Sequence, residues 1–69
     1  MKVIEQNGNE YQTHEIMFTG KVVKCVPDSD RRKSGELGRY ESMERAAEVL
    51  VQIYSASSNG KDEYVVPEN

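Results

Sequence analysis

The chain is poor in the residues that most protein chemistry draws on. It has one cysteine, Cys25, and one histidine, His14. A disulfide within one molecule is therefore excluded, and a four-ligand zinc site is short of donors. Tryptophan is absent, phenylalanine occurs once and proline twice. No apolar run approaches the ~20 residues of a membrane-spanning helix. The opening MKVIEQNG has no apolar stretch of the kind that directs secretion. Positive charge is in deficit, with nine Lys and Arg against twelve Asp and Glu and a formal net charge of −3. Generic binding to a phosphate backbone needs clustered cations that displace counterions, and the overall balance argues against it. A lone cysteine and no visible leader read as a cytoplasmic protein without a membrane association. With 69 residues, the chain is expected to form a single small domain over 1–69. A domain of that size buries only about 60% of its unfolded surface. Without disulfide or metal it must rely on economical packing or on self-association.

What is present is pattern. Apolar residues make up 36% and charged residues 30%, the balance of a folded, soluble domain. Lys2 to Gln6 (KVIEQ) is a short β-branched run, and Asn7-Gly8-Asn9 after it signals a tight turn. A two-residue turn there would set Glu5 opposite Glu10, an unfavourable like-charge pair. The hairpin is therefore expected to be loose, or to lead into an extended connection through EYQTH. Glu15 to Pro27 is β-rich and admits two readings. A turn at Thr19-Gly20 would set Ile16 opposite Val23 and Glu15 opposite Lys24, but a β-branched Thr resists the positive φ that position requires. A continuous strand bent at Gly20 would put Ile16, Phe18, Val22 and Val26 on one face, and is the preferred reading. Asp28 to Gly35 is a polar loop. Glu36 to Tyr40 can return as a short strand, with Leu37 and Arg39 on one face and Gly38 and Tyr40 on the other.

The clearest element is a helix. Ser42 is a good N-cap, Glu41 and Glu44 sit near the positive end of the helix dipole, and Asn59-Gly60 is a C-terminal stop. Met43, Ala46, Ala47, Leu50, Ile53 and Tyr54 follow the spacing of one helix face, which Val49 and Val51 widen. Arg45, Glu48 and Gln52 lie opposite. Glu63 to Pro67 is a last short strand, and its proline suits a sheet edge. Strands, then a helix, then a strand predict an α+β fold. The expected form is a small antiparallel sheet of three to four strands, with one helix at about 43–58 packed on one face.

The segment LGRYESMERAAEVL, with a Tyr and a Pro-Glu near the C-terminus, resembles a group of small uncharacterised proteins of Firmicutes and their phages. The residues that carry the resemblance are Leu37, Gly38, Tyr40, Ser42, Glu44, Ala46, Val49, Leu50, Tyr64, Pro67 and Glu68. The opening MKVIEQNG is similar to the start of those proteins. Where that group often has Met before the Pro-Glu, this chain has Val66, and the basic loop in the middle has no counterpart. The resemblance implies a cytoplasmic protein of a prophage-associated kind, and implies no activity.

His14 and Cys25 are the only candidates for a base and nucleophile. They lack an orienting third group, and the chain has little material for a pocket. No two carboxylates are set apart by an apolar environment, no metal-ligand spacing is present, and the glycines form no phosphate-binding loop. Neither an enzyme nor a cofactor is expected. Arg31, Arg32 and Lys33, with Arg39, could contact phosphate or an acidic partner. Asp28, Asp30 and Glu36 balance the loop locally. Tyr11 and Tyr64, beside predicted edge strands, are candidates for a protein contact, whereas Tyr40 and Tyr54 suit the edge of the core. The expected role is a small non-enzymatic protein that binds an unidentified protein, or itself as a homodimer, through exposed strand edges. The alternative is a nucleic-acid-binding regulator that uses Arg31–Lys33 and Arg39.

Overall fold

The computed structural model describes all residues, Met1–Asn69. In chain order the elements are β1 (Lys2–Ile4), β2 (Glu10–Thr19), β3 (Val22–Pro27), β4 (Gly35–Arg39), α1 (Met43–Ser58) and β5 (Glu63–Val65). The fold is α+β, as the element order predicts, but the sheet has five strands in the order β4-β3-β2-β1-β5. It is mixed rather than antiparallel, because β5 runs parallel to β1, with Val3 beside Tyr64 and Ile4 beside Val65. The helix is the reason. It carries the chain back across the sheet, the long crossover that parallel neighbours require.

The first turn avoids the Glu5–Glu10 clash by lengthening. In β1–β2, Val3 faces Tyr11 and Ile4 faces Glu10. Glu5 N–H donates to the Asn9 carbonyl and Gly8 N–H to the Glu5 carbonyl, both at 2.9 Å. Gly8 takes φ 95°, so the loop is Gln6-Asn7-Gly8, a three-residue hairpin with Gly in the left-handed region. Glu5 now meets Asn9, whose side-chain amide donates to Glu5 Oε1 at 3.0 Å.

The second turn corrects both readings of Gly20. Thr19 pairs with Val22, so the two-residue loop is Gly20-Lys21 and the strand is broken, not bent. Gly20 has φ 59°, and no other residue of this loop has positive φ, as in a type II′ turn with Gly first. Thr19 stays in the strand, where its β-branch is favourable. Ile16 faces Cys25 and Phe18 faces Val23. The inward row is therefore Ile16, Phe18, Val23 and Cys25, not Ile16, Phe18, Val22 and Val26. A bulge at His14 resets the register between Thr13 and Glu15. A second irregularity between Val23 and Lys24 places both Leu37 and Gly38 inward. Arg39 then points to solvent, away from Leu37, contrary to the alternation expected over Glu36–Tyr40.

The helix bounds agree with the sequence. Ser42 Oγ accepts from Arg45 N–H at 3.1 Å. At the other end Lys61 N–H donates to the Ala56 carbonyl at 3.0 Å and Gly60 N–H to Ser57 at 3.1 Å. With Gly60 at φ 79°, this is a Schellman cap. The buried face, however, is Ala46, Val49, Ile53 and Ala56, rotated from the expected arc. The core joins Val3, Ile16, Val23, Cys25, Leu37 and Tyr40 to Ala46, Val49, Ile53 and Val66.

Candidate functional site

The four candidate cations do not converge. Arg31 reaches out of its loop to Glu15 on β2 at 3.2 Å, Arg32 bonds Asp30 at 3.6 Å, and Arg39 bonds Glu36 at 3.0 Å. Asp28, expected to balance the loop, bonds His14 at 2.8 Å instead. Only Lys33 of the four lacks a carboxylate partner. All these pairs lie in or beside the solvent face of the sheet, where ion pairs contribute little to stability.

Tyr11 and Tyr64 lie together, but facing inward. They flank Val3 in one row across β2, β1 and β5. Both rings pack against the core, and the Tyr64 hydroxyl donates to Gln52 Oε1 of α1 at 2.9 Å. The Tyr11 ring crosses Gly35, where an added Cβ would stand 2.7 Å from its Cε1. Gly35→Ala is therefore expected to cost about 1–3 kcal/mol through overpacking. Urea unfolding should show part of that loss recovered in the double variant Gly35→Ala/Tyr11→Leu. Additive losses would mean that the ring does not set the limit.

Cys25 and His14 are separated in environment. Cys25 is fully buried and free, while the His14 side chain is largely exposed at the bulge. Burial pushes the Cys25 thiol up from its ordinary value, and the polar groups of Thr13 and Gly35 nearby offset only part of this. In the unfolded chain a thiol ionises from about pH 8.5. The folded thiol keeps its proton to a higher pH, so the unfolded state loses protons first and stability falls as pH rises through that window. Tyr40, raised mainly by burial, extends the same trend beyond about pH 10. The urea midpoint should accordingly decline above about pH 8.5. Cys25→Ala should remove the first part of the decline and leave the phenolic part.

The strand edges, the anticipated route to self-pairing, are mostly blocked. On the free side of β4, Gln6 N–H donates to the Leu37 carbonyl at 3.0 Å. Arg39 N–H donates to Gln6 Oε1 at 3.0 Å, and Gln6 Nε2 donates to the Arg39 carbonyl at 3.3 Å. Gln6 thus occupies that edge much as a strand would. Its Nε2 also reaches the carbonyls of Pro67 and Glu68 at 3.1 and 3.0 Å. The Tyr40 hydroxyl donates to Pro67 at 2.8 Å. β2 runs on beyond β1, and there the Tyr54 hydroxyl donates to the Ile16 carbonyl at 2.9 Å and accepts from its N–H at 3.4 Å. What stays open is the edge at Phe18 and the outer side of the three-residue β5.

The feature that stands out lies on the helix. Five large hydrophobic residues are exposed, and three of them, Met43 (54%), Val51 (66%) and Tyr54 (45%), are on α1. With Ala47 they occupy i, i+4, i+8 and i+11, one continuous stripe. A shallow, open depression of about 500 Å³ overlaps the middle of it, lined by Ala47 and Val51 with Glu44, Glu48 and Gln52, while Met43 and Tyr54 lie outside its lining. Sequence reasoning placed Met43 and Ala47 on the buried face of the helix, and Tyr54 at the edge of the core. The signal that could have found the stripe is the width of the apolar arc, since Met43 to Tyr54 carries more apolar residues than one sheet face can cover. By contrast, the hollow between Thr13, Ile16, Ile53 and Tyr54 holds about 50 Å³, against ~300 Å³ for the smallest usual ligand sites. No helix is long and apolar enough to cross a membrane. No protein-family model, curated relative or solved structure matches the chain.

Proposed function

We propose that this chain is a small non-enzymatic protein that acts by binding another protein through the outer face of α1. The observation that carries this reading is the exposed stripe of Met43, Ala47, Val51 and Tyr54. Contiguous apolar surface on a small domain is a common mark of a contact site, whereas single scattered hydrophobics are not. A cytoplasmic setting belongs to the same proposal, since Cys25 is a free thiol. The nucleic-acid alternative has less behind it, because Arg31, Arg32 and Arg39 are each engaged by a carboxylate. Its signature would be an affinity that falls steeply with salt.

A photo-crosslinking amino acid at position 51, in cells producing the protein, is expected to yield a discrete adduct that the same probe at position 24 on the sheet does not. Val51→Asp should remove a partner's binding while changing stability by less than about 0.5 kcal/mol, as for a substitution at an exposed site. Equal adducts from both positions, or none from 51, would overturn the reading.

A further inference from the structure

The identity of the stripe's occupant rests on the reading above and follows from charge. We propose that the outer face of α1 takes a cationic amphipathic helix, with its apolar residues over the depression at Ala47 and Val51 and the neighbouring exposed Met43, and Lys or Arg along the rim formed by Glu44 and Glu48.

The charges of this molecule are unevenly settled. On the sheet and in its loops, Lys2, Arg31, Arg32 and Arg39 are each paired with a carboxylate, and the unpaired cations Lys21, Lys24 and Lys33 also lie there, away from α1. The outward side of α1 and its approach carry Glu41, Glu44 and Glu48 against Arg45 alone. Arg45 is already committed, with two nitrogens on the Asn69 carbonyl at 2.9 and 2.7 Å and Glu48 at 3.4 Å. Glu41 and Glu44 have no ion-pair partner. Unpaired negative charge from Glu41 and Glu44 thus lies beside the one apolar surface of any length.

The shape fits a helix. Met43 and Val51 stand eight residues apart, about 12 Å at the helical rise of 1.5 Å per residue. The small Ala47 between them leaves a depression for one apolar knob. Tyr54 bounds the stripe on the sheet side, where the Ile16 backbone holds its hydroxyl. Each added residue of matching charge on the partner would speed association and fix its orientation.

The same charges disfavour a second copy. In an antiparallel two-fold pair of α1 helices the same flank of each helix meets. Glu44 and Glu48 would then face their own counterparts, with no free cation on the helix to separate them. Like charges in that arrangement are repulsive.

The test uses the full 69-residue chain, ¹⁵N-labelled, and three synthetic amphipathic helices of Leu and Ala that differ only in carrying Lys, Gln or Glu on the polar face. At low salt the Lys peptide should shift the amides of Met43, Ala47, Val51 and Tyr54, and bind at least about tenfold more tightly than the Glu peptide, weakening as salt screens the rim. Glu44→Lys with Glu48→Lys, checked for folding by circular dichroism, should reverse that order, and Val51→Asp should abolish binding of the Lys peptide. Equal binding of the Gln or Glu peptide at the stripe would overturn the cationic partner while leaving the binding face in place. Stripe amides that shift with protein concentration alone would assign the face to a second copy, against the proposal. Shifts confined to Asp62–Glu63, or no shifts with any peptide, would overturn both.

Discussion

Leu37→Ala is expected to lower the unfolding free energy by about 2–5 kcal/mol. Leu37 is 1% exposed and lies at the irregularity of β4, in contact with the core that α1 closes. Removing its three terminal carbons loses apolar burial and leaves a void, because β4 is held in place on both sides. β3 pairs with it along one edge and Gln6 along the other. A chain of this length is expected to have only about 3–10 kcal/mol of stability in all. The change therefore removes a large share of it, and each kcal/mol lowers the melting temperature by about 4–8 °C. Urea unfolding is the measurement, with a lower midpoint at unchanged slope as the expected result. Leu37→Met, which conserves volume, should cost less than about 1.5 kcal/mol. A loss below about 1 kcal/mol for the Ala variant would mean that β4 collapses into the void.

Gln6→Ala should be nearly as damaging, which is unusual for an uncharged turn residue. Its side chain accepts from Arg39 N–H, and the two hydrogens of its Nε2 are shared among the carbonyls of Arg39, Pro67 and Glu68. At roughly 1 kcal/mol net per hydrogen bond, with water replacing some partners near the surface, the expected loss is about 2–3 kcal/mol. The side chain also fills the space above Gly38, where an added Cβ would stand 2.8 Å from Gln6 Cδ. Local opening should precede global unfolding: the Arg39 amide and the segment after β5 should lose hydrogen-exchange protection first, while Ile53 and Val49 keep theirs. Unchanged protection at Arg39 in the Ala variant would remove Gln6 from this role.

That junction also explains several residues of the sequence pattern in physical terms. Gly38 makes room for Gln6 and for the Tyr40 hydroxyl, both 2.8 Å from its missing Cβ. Tyr40 holds Pro67, and Ser42 starts the helix. These residues tie the turn after β1, the β4–α1 corner and the tail after β5 into one place.

Much of the candidate site was hidden in the sequence for one reason. An apolar arc on a helix says that something covers it, but not what, and here the sheet covers only Ala46, Val49, Ile53 and Ala56. Val51 and Met43 look the same in the sequence as Val49 and Ile53. The candidate cations were visible as a cluster, yet Arg31 spends its charge on Glu15, sixteen positions away, which no local reading anticipates. Tyr64 does lie on an edge strand, β5, but Tyr11 lies on the interior strand β2, and β-strand parity turned both rings inward beside Val3.

What the sequence determined by itself was everything governed by short-range chemistry. Ser42 and Gly60 set the helix ends, Gly8 marks the first turn, and the order of elements gives the α+β class. These depend on hydrogen bonds and φ preferences within a few residues. Tertiary structure alone decided the parallel pairing of β5 with β1, the register that faces Ile16 with Cys25, and the side of α1 that is buried. Each of those is a choice between alternatives with nearly equal local energy. It is resolved only when distant segments compete to bury the same apolar surface and leave the fewest backbone groups unpaired.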